Sequence, residues 1–481
     1  MKLKKLFSTA IAIVMCVGLF SACSIPDEFE DEQYTGADNE LLVWSVDPLV
    51  GNYQTVLATN PNDPDALLTK SVVEGFQAAT VSTEYPQGVR VVIQNHGWGT
   101  DLSQALDTAI GSGTMPDITV GEQFVKTYIN NNHFLPIELD DAIVSDFVDE
   151  AQSVIYKGED IYAVPFLTGS FVLNINKAAL ADFGILNEDY TVNQTWQSAH
   201  PDWNPLAPDT WEELLGICQY IYGLNGQEVN GKTLNGVGGM LMNATEEDSS
   251  WRALVFMRTA GGDIGTSDGT VTMDTPQNMK AFQMMRDFVA TAPARSINSS
   301  TTNEMWNTFW FNDRVAYTID GNDILTNAEV LGRRDDFTVA EIPTYEENGV
   351  RANVMVGTGY YSISNQTEKY DLCIKFLEYI LQPEIQRDFM EGTNRLSARE
   401  SVLNSQETTQ LSNYADLQVF MKPFQDETYQ FEGGLPTFDN RPADVWDQWN
   451  TFAADLLRTN KDLTGIVRTA QSEMSRAASG R

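Results

Sequence analysis

The sequence has 481 residues, of which 42% are hydrophobic and 20% are charged, and it contains 10 tryptophans but only 4 cysteines. A chain of this length and apolar content can build two packed cores, which excludes a disordered or collagen-like protein and a dense disulfide scaffold. Its 67 acidic and 30 basic residues give a formal net charge of -37, and because such a surface repels phosphate backbones and no segment concentrates basic residues, we expect no nucleic-acid partner.

The N-terminus combines a basic start, an apolar run and a small-residue ending. Lysines precede the mostly apolar residues 6–20, a run that has the length of a signal-peptide core and is short for a membrane-spanning helix. Residues 19–23 (Leu-Phe-Ser-Ala-Cys) resemble a bacterial lipobox, with Phe20 where leucine is usual. We therefore predict a signal peptide over 1–22 and a lipid on Cys23 that anchors the protein to the outer side of the cell membrane. The alternative is a plain signal peptide with a chance cysteine.

Two features of the remaining chain follow from its local composition. Residues 23–40 are acidic and lack apolar periodicity, which predicts a solvated linker. Cys218 and Cys373 lie within helix-like stretches, which favours two small core residues. A disulfide between them stays open as the alternative.

Strand and helix patterns alternate from residue 41 onwards. Buried strands are predicted at 41–46, 89–93 and 116–120, with amphipathic helices between them, the second of which ends at Gly111 and Gly113. This order predicts right-handed crossovers and a parallel sheet covered by helices.

Helix-start signals and further strands follow. Thr210 and Glu213 have the spacing of a capping box, and Thr275 precedes a proline at the first turn of another helix. Later strands are predicted at 315–319, 337–343 and 360–363, and helices from 367 and over 443–457.

Several motifs in this order resemble those of the extracellular solute-binding proteins of ABC importers, specifically the sugar-binding, maltose-binding-protein-like group. The motifs are residues 111–118 (small-residue turn, Pro-Asp, strand), 161–166, 173–177, 208–214 (Pro-Asp-Thr-Trp-Glu-Glu-Leu) and 376–380. The resemblance implies an α/β protein with the two-lobe, type II periplasmic-binding-protein fold, in which each lobe is a mainly parallel sheet flanked by helices and a hinge joins the lobes. It further implies that each lobe is discontinuous: lobe 1 comprises 41–165 and 337–388, and lobe 2 comprises 166–336 and 389–481.

The ligand would lie between the lobes, and a sugar needs aromatic plates for its C–H faces and carboxylates or amides for its hydroxyls. Open α/β sheets bind ligands at the carboxyl ends of their strands. The loops at these ends in the first lobe supply Trp44, Asp47, Trp98, Asp101 and Glu122. Core packing is an equal alternative for Trp44, whereas the glycines around Trp98 favour ligand contact.

The opposing lobe and the late segments supply the other candidates. They are Asn243, Trp251, Asp320, Asn322, Gly359, Tyr360 and Trp446. A turn role is an equal alternative for Asp320 and Asn322.

Enzyme and metal signatures are weak in this sequence. Residues 265–269 match Gly-x-Ser-x-Gly, but a strand pattern follows where a nucleophile elbow needs a helix. Only three histidines exist, and neither a zinc motif nor a phosphate-binding loop occurs. The acidic stretch 62–65 offers calcium ligands, although a plain loop is favoured. We expect no catalytic residues, no metal and no cofactor.

We therefore expect a monomeric, lipid-anchored receptor that captures a sugar or oligosaccharide by hinge closure and delivers it to the permease subunits of an ABC transporter. The alternatives are an exported carbohydrate-active hydrolase and a binding protein for peptides, polyamines or sugar phosphates. Sugar type, chain length and linkage are left open.

Overall fold

The protein is described by a computed structural model that covers residues 33–46, 48–97, 99–121, 125–152, 154–242, 246–266, 269–292, 306–432 and 442–479. Within these ranges the strands are β1 Glu40–Ser45, β2 Arg90–Asn95, β3 Ile118–Gly121, β4 Tyr156–Lys157, β5 Asp160–Ile161, β6 Val164–Pro165, β7 Leu167–Ser170, β8 Val172–Asn176, β9 Glu228–Val229, β10 Lys232–Thr233, β11 Gly238–Leu241, β12 Val315–Asp320, β13 Phe337–Ala340, β14 Ala352–Val356, β15 Tyr360–Ile363, β16 Leu396–Ser397 and β17 Gln430–Glu432.

The α-helices of the same ranges are Tyr53–Thr59, Pro64–Ala79, Thr100–Ser112, Val125–Asn130, Asp141–Val144, Asp149–Gln152, Lys177–Asp182, Gln194–Ala199, Trp211–Gly223, Glu246–Thr259, Pro276–Val289, Asp323–Val330, Tyr370–Ile380, Pro383–Thr393, Glu400–Leu403, Tyr414–Gln425, Pro442–Arg458 and Leu463–Ser479. Among these described helices, none is both long and apolar enough to cross a membrane.

The first sheet has the strand order β2-β1-β3-β15-β6. Strands β1, β2 and β3 run parallel to one another, as predicted, and β15 pairs antiparallel with both β3 and β6. Leu41 and Val43 are fully buried because helices cover the sheet, among them Pro64–Ala79, which packs on β2. One antiparallel strand therefore interrupts an otherwise parallel sheet.

The second sheet has the order β11-β12-β8-β13, in which β11 and β12 are parallel and β8 runs antiparallel to its neighbours. β13 pairs with β8 from Phe337 opposite Asn176 to Ala340 opposite Leu173. The sequence prediction placed 337–388 in the first lobe, but this strand completes the second sheet because β8 offers a free edge there. The chain rejoins the first sheet only at β15.

A third sheet, β16-β7-β14-β17, contains the two strands that cross between the other sheets. β7 connects β6 with β8, and β14 lies between β13 and β15 in the chain. The two crossing strands pair antiparallel, with Val356 opposite Gly169. The Thr168 and Thr358 hydroxyl oxygens are buried and lie 2.7 Å apart, so a hydrogen bond joins the crossing segments.

The predicted helix starts are present, with one difference in detail. The Thr210 hydroxyl accepts from the Glu213 backbone N–H at 3.1 Å, and the Thr275 hydroxyl accepts from Asn278 N–H at 3.2 Å. The Glu213 carboxylate does not complete the expected capping box at Thr210, because it accepts from the Asp209 backbone N–H at 2.9 Å instead. It ties the incoming loop to the helix.

Cys218 and Cys373 are free and buried, which confirms their predicted core role. The helix Trp211–Gly223 packs so closely on β11 that a Cβ atom on Gly239 would lie 2.2 Å from the Cβ atom of Cys218. Gly239 is therefore the residue that permits this helix–sheet contact. No disulfide joins the two thiols.

Residues 33–40 lie against the amino-terminal edge of the first sheet. Arg90 donates to the Gln33 carbonyl at 2.9 Å, and Lys369 Nζ donates to the Tyr34 hydroxyl at 3.0 Å. The predicted solvated linker over 23–40 is therefore wrong for residues from Gln33 onwards. Composition alone did not reveal that basic residues from distant segments hold this acidic stretch.

Candidate functional site

Strand ends of the first sheet meet at one edge. The parallel pairing of β1 with β2 places Ser45 beside Asn95, and β3 ends at Gly121. Antiparallel β15 begins at Tyr360, opposite both Gly121 and Pro165. The loops predicted to carry ligand contacts in the first lobe therefore leave the sheet at the same edge.

The second sheet presents a corresponding edge. β11 ends at Leu241 and β12 at Asp320, while Val172 at the start of β8 pairs with Asp320. Because β7 connects the first edge at Pro165 directly with this second edge at Val172, the crossing strands join the two edges. We define the region between these two edges as the candidate site.

Trp44 lies at the first edge with its ring half-buried. Its centroid is 4.1 Å from that of His96, and its indole N–H donates to the Gln94 side-chain oxygen at 3.0 Å. Burial lowers the pKa of His96, and its Nε2 atom is buried with no hydrogen-bond partner among the described residues. Sequence reasoning included the loop of His96 but did not select this residue, which fixes one face of the Trp44 ring.

Asp101 stands in the first turn of the helix Thr100–Ser112 and is exposed. A Cβ atom on Gly97 would lie 2.8 Å from an oxygen of its carboxylate. The glycine therefore lets the loop approach this carboxylate, which stays accessible at the first edge.

Trp251 and Trp446 pack against each other at the second lobe, with centroids 4.9 Å apart and planes tilted by 57°. Trp446 is 4% exposed and Trp251 is half-buried. Their helices are fastened by the Trp449 indole N–H, which donates to the Ser250 carbonyl at 3.2 Å. The buried ring thus supports the ring that remains partly accessible.

Asp320 is held by a buried arginine. Arg252 donates through Nη2 to the Asp320 carboxylate and through Nε to the Ile319 carbonyl, each at 2.7 Å. Because Arg252 follows Trp251 on the same helix, this pairing attaches the tryptophan-bearing helix to the end of β12. Sequence reasoning missed Arg252, since the contact joins residues far apart in the chain.

Asn322 serves local structure. Its side-chain amide donates to the Thr393 carbonyl at 3.0 Å and to the Asp323 carboxylate at 3.2 Å, and the residue is buried. Of the two roles that the sequence left open for Asn322, these contacts match the turn role.

Gly359 and Tyr360 lie at the first edge but within the sheet. Tyr360 is 2% exposed, and burial raises the pKa of its hydroxyl well above the ordinary value. A Cβ atom on Gly359 would come within 3.2 Å of Val120 Cγ2. Tyr360 therefore packs in the core in this arrangement of the lobes.

The other predicted contacts, Asp47, Trp98, Glu122 and Asn243, lie outside the described residues, as does Cys23.

The acidic stretch considered for calcium has other partners. Asp63 accepts from the Ala66 backbone N–H at 3.0 Å and so caps the helix Pro64–Ala79, while Asp65 pairs with Arg395 at 2.8 Å. Within the described ranges, no group of three or more His, Cys, Asp or Glu side chains is arranged to hold a metal ion.

Comparison with known proteins agrees with this architecture. The family model described as bacterial extracellular solute-binding protein matches residues 72–417. A curated relative, the arabinooligosaccharide-binding protein of Halalkalibacterium halodurans, is 22% identical over 324 residues, which are 64% of this chain and 64% of the relative. The matched region thus spans less than two thirds of that protein's length.

Solved structures resemble the whole described body. The GacH receptor of Streptomyces glaucescens, also solved in complex with acarbose, has a TM-score of 0.66 and 18% identity, covering 91% of this chain and 97% of its own. An ABC transporter solute-binding protein of Thermotoga lettingae, bound with alpha-D-tagatose, has a TM-score of 0.68 and 17% identity. The match covers 91% of this chain and 99% of that protein. The predicted two-lobe α/β fold is confirmed by these likenesses.

Proposed function

Because the chain belongs to the family of bacterial extracellular solute-binding proteins, we propose that it captures a sugar or short oligosaccharide between its lobes and delivers it to the permease of an ABC importer. The observation that carries this proposal is the placement of indole rings and carboxylates at two edges that the crossing strands join. Trp44 and Asp101 belong to the first edge, and Trp251 and Asp320 to the second.

This set of groups suits a carbohydrate. The apolar C–H faces of a sugar pack on indole rings, while carboxylate oxygens accept hydrogen bonds from its hydroxyls. Closure of the lobes removes the sugar from water, and the protein's polar groups replace the hydration that is lost. The arabinooligosaccharide-binding relative and the acarbose and tagatose complexes of similar folds support this ligand class.

The proposed activity is binding and release without a chemical reaction. A carbohydrate hydrolase, the alternative from another class, needs two carboxyl groups placed on either side of a glycosidic bond. In the candidate site, the Asp320 carboxylate is engaged by Arg252, and the family is one of solute-binding proteins. Both observations favour a receptor over an enzyme.

We further propose that the protein is exported and is held at the cell membrane as a monomer by a lipid on Cys23. The family is extracellular, and residues 33–40 are attached to the edge of the first sheet opposite the candidate site. A tether at that end leaves the edge with the candidate site accessible to ligand. Mass spectrometry of the membrane-bound protein tests this anchor, since a diacylglyceryl group on Cys23 is expected at the mature N-terminus.

Calorimetric titration of the purified chain tests the ligand class. The panel comprises arabino- and malto-oligosaccharides, monosaccharides, a peptide, a polyamine and a sugar phosphate. We expect at least one neutral carbohydrate to bind and to be recovered intact by chromatography. Release of reducing ends would support the hydrolase, and exclusive binding of a charged ligand would overturn the sugar proposal.

A further inference from the structure

Arg395 contacts carboxylates from two different parts of the fold. It follows the helix Pro383–Thr393 and precedes β16, which pairs with crossing strand β7. Its guanidinium donates to Asp65 Oδ1 at 2.8 Å and to Asp323 Oδ1 at 3.0 Å. Only 7% of the Arg395 side chain is exposed. The arginine therefore carries a buried charge that is paired with Asp65 through one terminal nitrogen of its guanidinium and with Asp323 through the other.

The two aspartates belong to different lobes. Asp65 is in the first turn of the helix Pro64–Ala79, which packs on β2 of the first sheet. Asp323 begins the helix Asp323–Val330, which follows β12 and packs on β13 of the second sheet. Each carboxylate is favoured at a helix N-terminus by the helix dipole. Arg395 thus joins one helix start from each lobe, beside the strands about which the lobes would move.

The two ion pairs differ in what it costs to break them. Asp65 is mostly buried, whereas 58% of the Asp323 side chain is exposed. A carboxylate released from Arg395 recovers its hydration readily only where water reaches it, so separation of the lobes would break the Asp323 pair first. Arg395 would then stay with Asp65 on the first lobe.

From this geometry we infer that Arg395 is a positioning residue for the two lobes. Its bridge between Asp65 and Asp323 favours the arrangement in which the two lobes lie close together, and it thereby strengthens ligand binding. This inference rests on the proposed function only for its effect on affinity. The apparent dissociation constant of a ligand that needs closed lobes rises as the closed fraction falls. A weaker bridge therefore weakens binding without touching a ligand contact.

The decisive variant is Asp323→Asn, which keeps the size of the side chain and removes its charge. Spin labels at Val81→Cys and Leu331→Cys report the distance between the lobes without ligand. Both positions are exposed, one on each lobe. In this background Cys16 and Cys23 are changed to serine, and the buried native thiols stay unlabelled.

We expect Asp323→Asn to shift the label distances to longer values and to weaken binding of the best carbohydrate about 3- to 10-fold. Arg395→Lys should act similarly, because one ammonium does not reproduce the fork that holds two carboxylates. Combining both changes should add little further effect. Such non-additivity is expected only if the two residues act through the same bridge.

The matched control is Asp146→Asn. Asp146 pairs with Arg399 at 2.7 Å and is more buried than Asp323, with 15% against 58% of the side chain exposed. Phe147 and Val148 beside it join the same segment as Arg399, so this pair is confined to one side of the hinge. It should lower stability and leave distances and affinity unchanged. Unchanged distances in Asp323→Asn, tighter binding, or equal effects in the control would overturn the inference. If the parent chain binds no carbohydrate, the ligand proposal fails, while the label distances still decide the role of Arg395.

Discussion

The indole of Trp251 packs 4.9 Å from the indole of Trp446, so a helix near the C-terminus supports a ring at the edge of the candidate site. The supporting ring is buried, and the supported ring is half-buried. Substitution of Trp251 should therefore affect ligand binding more than folding, whereas substitution of Trp446 should affect both.

Trp251→Ala is expected to weaken carbohydrate binding about tenfold, because loss of a ring that packs on a sugar face costs about 1 kcal/mol or more. Calorimetric titration measures the effect. The control is Trp203→Ala, since Trp203 stacks on His200 at 4.5 Å and takes no part in the candidate site. If the parent chain and Trp251→Ala bound the carbohydrate with equal affinity, Trp251 would not be a ligand contact.

Thr168→Val should lower the free energy of unfolding by about 1–2 kcal/mol, because the buried Thr358 hydroxyl loses the hydrogen bond to Thr168 at 2.7 Å and keeps its interaction with the Tyr360 hydroxyl. Urea denaturation followed by fluorescence measures this change. The double variant with Thr358→Val should lose less than the sum of the single variants, since it removes both polar groups. Strict additivity would show that the two hydroxyls do not interact.

Stability should depend on Glu40 at acid pH. Burial alone would raise its pKa, but hydrogen bonds from Arg90 and Thr35 outweigh burial and hold the pKa of Glu40 below its ordinary value of 4.5. Because the folded pKa is depressed, the stabilisation is present above 4.5 and is lost as the pH falls through the folded pKa. The difference in unfolding free energy between the parent chain and Glu40→Gln should therefore shrink below pH 4.5.

Urea titrations at neutral pH and at about pH 3 measure this difference. Glu74→Gln is the control, because Glu74 is exposed and forms an ion pair with Lys70 at 3.9 Å on the helix surface. A surface pair of this kind contributes no more than about 0.5 kcal/mol. If the difference in unfolding free energy between the parent chain and Glu40→Gln grew toward low pH, the expected sign would be contradicted.

Both body thiols should resist modification while the chain is folded. Burial raises the pKa of Cys218 well above its ordinary value, and burial with the nearby Asp117 charge raises the pKa of Cys373 to about 12. At pH 8 we expect an aromatic disulfide reagent to modify neither residue until guanidinium unfolds the chain. Mass spectrometry locates the modified cysteines, and rapid labelling of Cys373 in the folded chain would refute its burial.

The raised pKa of Cys373 also makes the stability of the folded chain depend on pH in the alkaline range. The folded thiol of Cys373 keeps its proton above the ordinary pKa of 9.0. Its contribution is complete below pH 9 and is lost as the pH rises toward about 12. Cys373→Ala should therefore show a weaker decline of stability over this alkaline range.

Local sequence patterns were sufficient to place the three parallel strands β1, β2 and β3 of the first sheet and the edge at which they end. Alternation and breaker residues mark where β1, β2 and β3 end, so the positions of Trp44 and Asp101 at one edge follow from the sequence. The burial of Tyr360 does not, because it depends on β15 entering between β3 and β6. A strand pattern is the same whichever neighbours the strand acquires.

The sequence also did not reveal which charged residues pair across long distances in the chain. Arg252 and Arg395 each look like an isolated basic residue in an acidic chain, yet each bonds a carboxylate that follows β12 or ends it. The assignment of Phe337–Ala340 to the wrong lobe has a related cause: a short apolar strand carries no mark of which sheet edge it will join.

The attachment of residues 33–40 also determines how the molecule would respond to a mechanical load. A pull on the N-terminus would reach the contacts of Arg90 and Lys369 first and would then act along β1, which lies between parallel neighbours. Its hydrogen bonds to both neighbours would be sheared together instead of opening one by one. If the chain is anchored through Cys23 as proposed, its folded body should therefore resist unfolding by a force applied at the N-terminus.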